Sequence, residues 1–188
     1  MRRLLPLLLL LPALTGGEPS RPTPAPPRFT AAGALILPAD FDRWVRVGSS
    51  IGLGYTPSDE SPPGMFHNVA LEPAAYAEFR RTGRFPNHTQ VALTIYAPSQ
   101  GVAPARHGWF EGQRVAVEMA VKDTARFAGG WAYFGFGPGT PGSTAQAFPR
   151  ERCAQCHAAH AARDNVFLQF YPLLRDPPSR LATPPAAR

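Results

Sequence analysis

The amino-acid sequence predicts an α+β fold dominated by an antiparallel β-sheet, with a few short helices. Two segments, 89–97 and 113–122, alternate apolar and polar residues, which is typical of half-buried strands. The chain of 188 residues contains 23 prolines and 17 glycines, and long helices cannot carry so many helix-breaking residues. Several strand-like segments and a few short helical ones follow each other, which favours this fold class over a helix bundle.

The first predicted element of the core is a short helix. Asp40 is its expected N-cap, and Phe41, Trp44 and Val45 share one face of the helix by their spacing. A loop rich in glycine, serine and proline is predicted to follow as far as Pro63.

The remaining elements are predicted from alternation, capping and breaker residues. Pro73 suits the first turn of a helix, and Gly83 suits the cap at its C-terminal end. The glycines and aromatic residues of 130–137 predict a strand that a flat group can approach closely. In chain order we predict a strand at 65–71, a helix at 73–81, strands at 89–97, 113–122 and 130–137, a helix at 150–162 and a strand at 166–171.

The two ends of the chain differ in composition from this core. Residues 1–17 combine two arginines, a leucine-rich run and a small-residue exit, which predicts a secretory signal peptide. We therefore expect a periplasmic or otherwise exported protein with no membrane span after processing. Residues 18–29 are predicted to form a disordered proline-rich tether, and residues 176–188 a flexible tail. One domain remains, over residues 30–175.

The formal net charge of +6 is not accompanied by a basic stripe or by interleaved aromatic side chains. Scattered arginines of this kind disfavour nucleic-acid binding. Eighteen arginines accompany a single lysine, Lys122, which is predicted to face solvent at the end of a strand.

The two cysteines of the chain lie in the sequence Cys153-Ala-Gln-Cys156-His157. Their spacing suits two thioether bonds to the vinyl groups of one haem, with the adjacent His157 as the proximal iron ligand. A Cys153–Cys156 disulfide and a zinc site completed by His160 are the alternatives. A redox-active disulfide of this spacing belongs to a βαβ unit, which is not predicted here, and such closely spaced ligands clamp zinc poorly. The motif therefore predicts one covalently attached haem c.

The position of this motif bears on the kind of haem protein. Small electron-carrying cytochromes are mostly helical, carry the motif early and supply a later methionine as the second axial ligand. Here the motif lies close to the C-terminal end, and Met1, Met65 and Met119 all precede it. Four-helix cytochromes c′ carry the motif late, but this core is predicted as strands and turns. A β-rich domain with a late haem motif is what remains.

Such a domain resembles the cytochrome P-460 family, over about residues 64–174. The resemblance is carried, in order, by Gly64-Met65-Phe66-His67-Asn68-Val69, Phe85-Pro86, Val121-Lys122-Asp123, Arg126-Phe127, Gly130-Trp131-Ala132-Tyr133-Phe134, the cysteine motif and Asp164-Asn165-Val166-Phe167-Leu168-Gln169-Phe170-Tyr171-Pro172. It implies an antiparallel-sheet homodimer with a five-coordinate c-type haem. Within the family, cytochromes P-460 cross-link a lysine to the porphyrin and oxidise hydroxylamine. Cytochromes c′-β lack that lysine and bind small gases such as nitric oxide.

The position of the cross-linking lysine can be carried over to this sequence. In the family it lies in the strand after a Pro-x-Gly-Thr-like turn, which corresponds here to Pro86-Asn87-His88-Thr89. Counting forward from that turn reaches Leu93, and leucine cannot form the cross-link. The resemblance therefore favours ligand binding over oxidation of the lysine-linked type.

Other residues are candidates for the pocket around the haem. Glu118 is a candidate distal carboxylate, although a solvated strand glutamate is the commoner outcome, and either face of its strand could carry the haem. His67 is a candidate distal hydrogen-bond donor, with a core histidine bonded to a backbone carbonyl as the alternative. The distal candidates are Leu93, His67, Glu118, Met119 and Phe66, and the candidates for the haem wall are Trp131, Tyr133 and Phe134.

Together these observations predict an exported mono-haem c-type cytochrome with a five-coordinate iron that binds a small diatomic ligand such as nitric oxide. One histidine ligand, an apolar distal side and no lysine favour neutral diatomic molecules over charged substrates. The first alternative is a haem oxidoreductase acting on hydroxylamine or peroxide, with Glu118 or His67 as the base. The second is an electron-transfer cytochrome with Met65, His67 or Met119 as sixth ligand. A redox protein partner is a further expectation.

Overall fold

The computed structural model describes residues 22–54 and 63–175, and it contains one five-stranded antiparallel sheet. The strands are β2 (Val45–Ile51), β3 (Phe66–Leu71), β4 (Gln90–Ser99), β5 (Phe110–Lys122) and β6 (Trp131–Gly135), and each pairs with the next in chain order. A separate pair is formed by β1 (Leu35–Ile36) and β7 (Thr144–Ala145). The helices are α1 (Pro73–Thr82), α2 (Ala154–His160) and α3 (Pro172–Arg175), with one-turn 3-10 helices at Phe41–Arg43 and Leu168–Phe170. The predicted fold class is confirmed.

Helix α1 connects β3 to β4 and has strong local signals at both ends. The Glu72 carboxylate accepts hydrogen bonds from the backbone N–H groups of Ala74 and Ala75, which have no partner within the helix. Pro73 occupies the first turn, as predicted, and Gly83 ends the helix with a φ of 70°.

One face of the five-stranded sheet is filled by large side chains, and we call it the closed face. It consists of alternate residues of the strands, with Ala92, Val117, Met119, Val121, Ala132 and Phe134 all buried. The segment that precedes β2 covers it with Leu35, Leu37, Phe41 and Trp44. This layer is a conventional hydrophobic core, and it fixes the orientation of the opposite face.

The other face, which we call the cavity face, carries the intervening residues of the same strands. Val69, Leu93, Glu118, Ala120 and Tyr133 point to this side. Its cover is made of α1, α2 and the segment from residue 166 to residue 174. Between this cover and the sheet lies a cavity that Val69, Leu93 and Tyr133 help to line.

Three local predictions were wrong. The helix predicted from Asp40 is a single 3-10 turn, and the segment from Val45 to Ile51, predicted in part as loop, is strand β2. The strand predicted at 166–171 is instead a 3-10 turn followed by α3, with the side chains of Val166 and Leu168 buried against the cavity face. In each case tertiary packing overrides the local pattern.

The long β4–β5 hairpin extends beyond the rest of the sheet. Register shifts near Tyr96 and Pro98 bend it, and the Glu111 carboxylate accepts a hydrogen bond of 2.6 Å from the Asn68 amide on β3. Trp109 lies in the connection and is 44% exposed.

The predicted signal peptide and C-terminal tail lie outside the described residues. The described part of the proline-rich segment, residues 22–29, lies against the domain: Pro24 is buried, and the ring of Phe29 packs 6.1 Å from that of Phe127. Over these residues the segment is therefore part of the domain, because Phe29 packs against the core of the closed face. Over the described residues, no helix has the length and apolar character needed to cross a membrane.

Candidate functional site

A cavity of about 240 Å³ lies between the cavity face of the sheet and helix α2. Most of its wall is apolar and comes from the four neighbouring strands β3 to β6 and from the segment after α2. The lining residues are Val69, Val91, Leu93, Glu118, Met119, Ala120, Tyr133, Arg152, Cys153, Cys156, His157, Phe167 and Tyr171. The cysteine motif and the sheet thus meet in one place, which the sequence alone did not establish.

Helix α2 presents the motif to this cavity. Cys153 is the N-cap residue of the helix and half-buried, whereas Cys156 is exposed at the mouth of the cavity. Both thiols are free, and burial raises the pKa of the Cys153 thiol. Among the described residues, no group of three or more His, Cys, Asp or Glu side chains is arranged to hold a metal ion.

The imidazole of His157 is held in a defined orientation. Its Nδ1 lies 2.8 Å from the backbone carbonyl oxygen of Asn165, and its ring packs between the rings of Tyr133 and Phe167, with centroid distances of 4.4 and 4.5 Å. A carbonyl oxygen can only accept a hydrogen bond, so Nδ1 carries the proton. In the neutral imidazole, Nε2 then keeps a free lone pair, which is what an iron ligand needs.

Burial also favours that neutral form. It lowers the pKa of His157, and the hydrogen bond to the Asn165 carbonyl opposes this shift in part. The Tyr133 hydroxyl lies 3.4 Å from the same carbonyl, and burial raises the pKa of this phenol, so it stays protonated and donates. Asn165 therefore anchors both polar groups on this side of the cavity.

Glu118 is the carboxylate in the cavity wall. It lies directly opposite Leu93 on the neighbouring strand, and burial raises its pKa, while the positive charge of Arg152 opposes the increase. The guanidinium of Arg152 stacks on the Phe148 ring at 4.0 Å from its centroid. The cavity thus combines an apolar wall with one carboxylate, that of Glu118 on the sheet, and one guanidinium, that of Arg152.

The predicted pocket residues fall into two groups in the structure. Leu93, Glu118 and Tyr133 line the cavity. Met119 borders it between Glu118 and Ala120, but its side chain is buried in the core of the closed face.

The second group lies outside the lining. His67 is on the cavity face beyond Val69, half-buried, and burial lowers its pKa. Phe66 and Phe134 alternate to the closed face. Trp131 is on the cavity face but buried beside Phe85, past the end of the cavity. Alternation places Phe66 and Phe134 on the other face of the sheet, whereas His67 and Trp131 are on the cavity face but too far along their strands to line the cavity.

Lys122 does not face solvent, contrary to the prediction. Its ammonium donates hydrogen bonds to the Asp164 carboxylate at 2.7 Å and to the Phe85 carbonyl at 2.8 Å, and the side chain is 16% exposed. The side chain is covered because the segment after α2 brings Asp164 against it.

Comparison with known families decides what kind of site this is. Residues 38–168 match the family model described as Cytochrome P460. The chain belongs to the cytochrome P460 family. The match spans the sheet and the cysteine motif and ends at Leu168, so it includes every strand of the five-stranded sheet. A search of curated proteins found no match.

Membership of the cytochrome P460 family makes this a haem-binding cytochrome, and the residues of the cavity fit that cofactor. The donor set consists of two free thiols and a neutral imidazole whose Nε2 is available. The apolar wall suits a macrocycle, and the small Ala120 leaves space next to the sheet. Members of the family are generally exported.

Several residues of the site were not singled out from the sequence. Arg152, Phe167 and Tyr171 line the cavity, and the Asn165 carbonyl orients His157. The Asp164-Asn165 pair carried a usable signal, because consecutive Asp and Asn residues after a helix favour a left-handed turn. The contribution of Arg152 depends on the orientation of α2 and had no local signal.

Proposed function

We propose that this chain is an exported mono-haem c-type cytochrome that binds a small neutral diatomic ligand, such as nitric oxide, at a five-coordinate iron. The observation that carries the proposal is the apolar wall of the cavity at Leu93. Leu93 pairs with Glu118 on the neighbouring strand, and His157 lines the same cavity from helix α2. Leucine at this position supports ligand binding rather than a lysine-linked oxidase.

The residues that would hold the haem come from one short segment. Cys153 and Cys156 would form the two thioether bonds, and His157 would bind iron through Nε2. The chain has two cysteines, which is enough for one such attachment. When bound, the haem supplies an iron centre at which a diatomic molecule can coordinate.

The chain's own residues determine which ligands are favoured at that centre. Val69, Val91 and Leu93 offer dispersion contacts but no hydrogen bonds to a bound molecule. They exclude water and give little stabilisation to charge, so neutral diatomics are favoured over anions. Tyr133 and Phe167 hold the His157 ring from both sides.

The absorption spectrum of the purified protein tests the proposal. Protein expressed with haem-attachment machinery should give a c-type pyridine haemochrome, a high-spin ferrous spectrum and a clear change on adding nitric oxide. The Cys153→Ala/Cys156→Ala variant is the matched control and should lose haem on denaturation. A low-spin ferric haem that does not respond to nitric oxide would overturn the ligand-binding proposal.

Glu118 supports a second candidate, a haem oxidoreductase acting on hydroxylamine or peroxide. Burial raises the pKa of the Glu118 carboxyl, so its ionised form is a stronger base than an exposed glutamate and is better suited to accept a proton from a substrate. Turnover of hydroxylamine that falls about 10²-fold in Glu118→Gln would establish this candidate. No turnover by the wild type, together with unchanged nitric oxide binding in Glu118→Gln, would exclude it.

The electron-transfer alternative has less support. Met65 lies before β3 and is 43% exposed, His67 lies outside the cavity lining, and the Met119 side chain packs on the closed face. A sixth ligand from any of them would require the chain to rearrange.

Assembly and partners complete the proposal. We propose a homodimer and an exported location, with a redox protein as the partner that sets the iron's oxidation state. Exposed apolar side chains at Ile51, Trp109 and Phe110 give surface for such contacts. Sedimentation of the haem-loaded protein measures whether it is a dimer, and fractionation of cells measures whether it is exported.

A further inference from the structure

The turn after α2 has an unusual backbone. Asp164 has a φ of 47° and Asn165 a φ of 58°, so two consecutive residues other than glycine occupy the left-handed region. Asp and Asn adopt this region more readily than other residues with a Cβ, but usually one at a time, so two in succession point to surrounding contacts that hold the turn. The turn presents the Asn165 carbonyl to Nδ1 of His157.

The contacts that hold the turn come from the Asp164 side chain. One carboxylate oxygen accepts a hydrogen bond of 2.7 Å from Lys122, and the other accepts one of 3.0 Å from the indole N–H of Trp131. Lys122 and Trp131 face each other on β5 and β6, so the carboxylate is fixed to two rigid strands. Trp131 is 3% exposed and the Asp164 side chain is 33% exposed, so the indole is buried while the carboxylate keeps some contact with solvent.

The use of lysine at this position is informative. The chain has 18 arginines and one lysine, and that lysine is the one that reaches Asp164. Its compact ammonium fits between the Asp164 carboxylate and the Phe85 carbonyl, 2.8 Å away. A planar guanidinium is larger and has a fixed fork of donors, so arginine cannot occupy the same space with the same contacts.

We propose that Asp164 is a positioning residue for the iron ligand: held by Lys122 and Trp131, it fixes the Asn165 carbonyl that orients His157. The inference rests on the proposed function, because it assigns His157 to the iron. A hydrogen bond from Nδ1 to a fixed carbonyl raises the basicity of the ligating nitrogen and sets the plane of the ring. A stronger ligand favours the ferric state and stiffens the bond between histidine and iron.

Two mild substitutions test the proposal. Trp131→Phe removes the indole N–H but keeps an aromatic ring, and Asp164→Asn keeps the shape of the side chain but leaves one of its two donors without an acceptor. In haem-loaded protein, both should shift the iron–histidine stretching band of the ferrous resonance Raman spectrum to lower frequency. Both should also raise the reduction potential.

Controls separate positioning from general stability. Glu78→Gln breaks an exposed ion pair of 2.5 Å on α1 and should leave the Raman band and the potential unchanged. Lys122→Arg keeps the charge but not the compact shape, and should give a shift between those of the wild type and Asp164→Asn. A melting temperature is recorded for every variant.

The outcomes are distinguishable. Variants that lower the melting temperature but leave both the Raman band and the potential at wild-type values would overturn the positioning role while leaving the proposed function intact. A six-coordinate iron would instead overturn the five-coordinate part of the proposed function, and the potential would still test the positioning role. A protein without haem overturns both.

Discussion

The two faces of the five-stranded sheet are built from alternate residues of the same strands, but they have become different environments. On the closed face, Met119 and Phe134 pack against an N-terminal segment that contributes Leu37 and Trp44. On the cavity face, Ala120 and Leu93 meet a cover that leaves about 240 Å³ open. The covering segments, rather than the strands, decide which face becomes a core and which becomes a site.

Removing a large side chain from each face should give the largest contrast. Phe134→Ala leaves a hole in a filled layer and should lower the free energy of unfolding by about 3–5 kcal/mol. Leu93→Ala removes a smaller side chain from the cavity face and should cost less than about 2 kcal/mol, below the usual range for a buried leucine, because Leu93 is half-buried and borders existing space. Urea unfolding followed by circular dichroism measures both. Equal costs would show that the cavity face is packed as tightly as the closed face.

Part of the cavity face is itself tightly packed, and adding a methyl group at Gly135 tests this. Gly135 is paired with Glu118 on this face, and a Cβ there would overlap the Phe148 ring. Gly135→Ala should therefore cost about 1–3 kcal/mol in unfolding free energy. In a Phe148→Ala background most of that cost should disappear, since the ring is what the methyl group meets. A cost that persists in the double variant would place the obstacle in the backbone instead.

The smallest expected effect is the pH dependence produced by Glu118. Because burial raises its pKa, the folded protein binds this proton more tightly than the unfolded chain does. Its contribution to stability is thus fully present at acidic pH and is lost as the pH rises from the ordinary glutamate pKa through the folded one. Compared with Glu118→Gln, the wild type should lose stability over that interval. Parallel curves for the two proteins from pH 4 to 8 would contradict a raised pKa.

The parts of the fold that were predictable have local signals. Helix α1 carries a proline at its start and a left-handed glycine at its end, and β5 alternates over most of its length. Strand β2 was missed because Gly48-Ser49-Ser50 has the composition of a loop. Its stability comes from pairing with β3 and from the close approach of Tyr171, whose ring lies 2.8 Å from where a Cβ of Gly48 would be.

The site shows the same division between local and tertiary information. The cysteine motif and the position of Leu93 could be obtained by spacing and counting. The face that Glu118 occupies could not, because Ala116 and Ala120 on one side and Val117 and Met119 on the other are both compatible with burial. Only the segments that pack on each side of the sheet distinguish the two faces of β5. The orientation of His157 depends on Asn165, eight residues away, which lies between the helix predicted at 150–162 and the strand predicted at 166–171.

The three tryptophans make these regions separately observable. Trp44 is buried in the closed face, Trp131 is buried beside the turn that holds His157, and Trp109 is exposed on the long hairpin. Indole emission shifts to longer wavelength as water reaches the ring. Variants that retain one tryptophan each would therefore report, by fluorescence, whether the hairpin, the filled layer and the ligand-bearing turn lose structure in one step or in sequence.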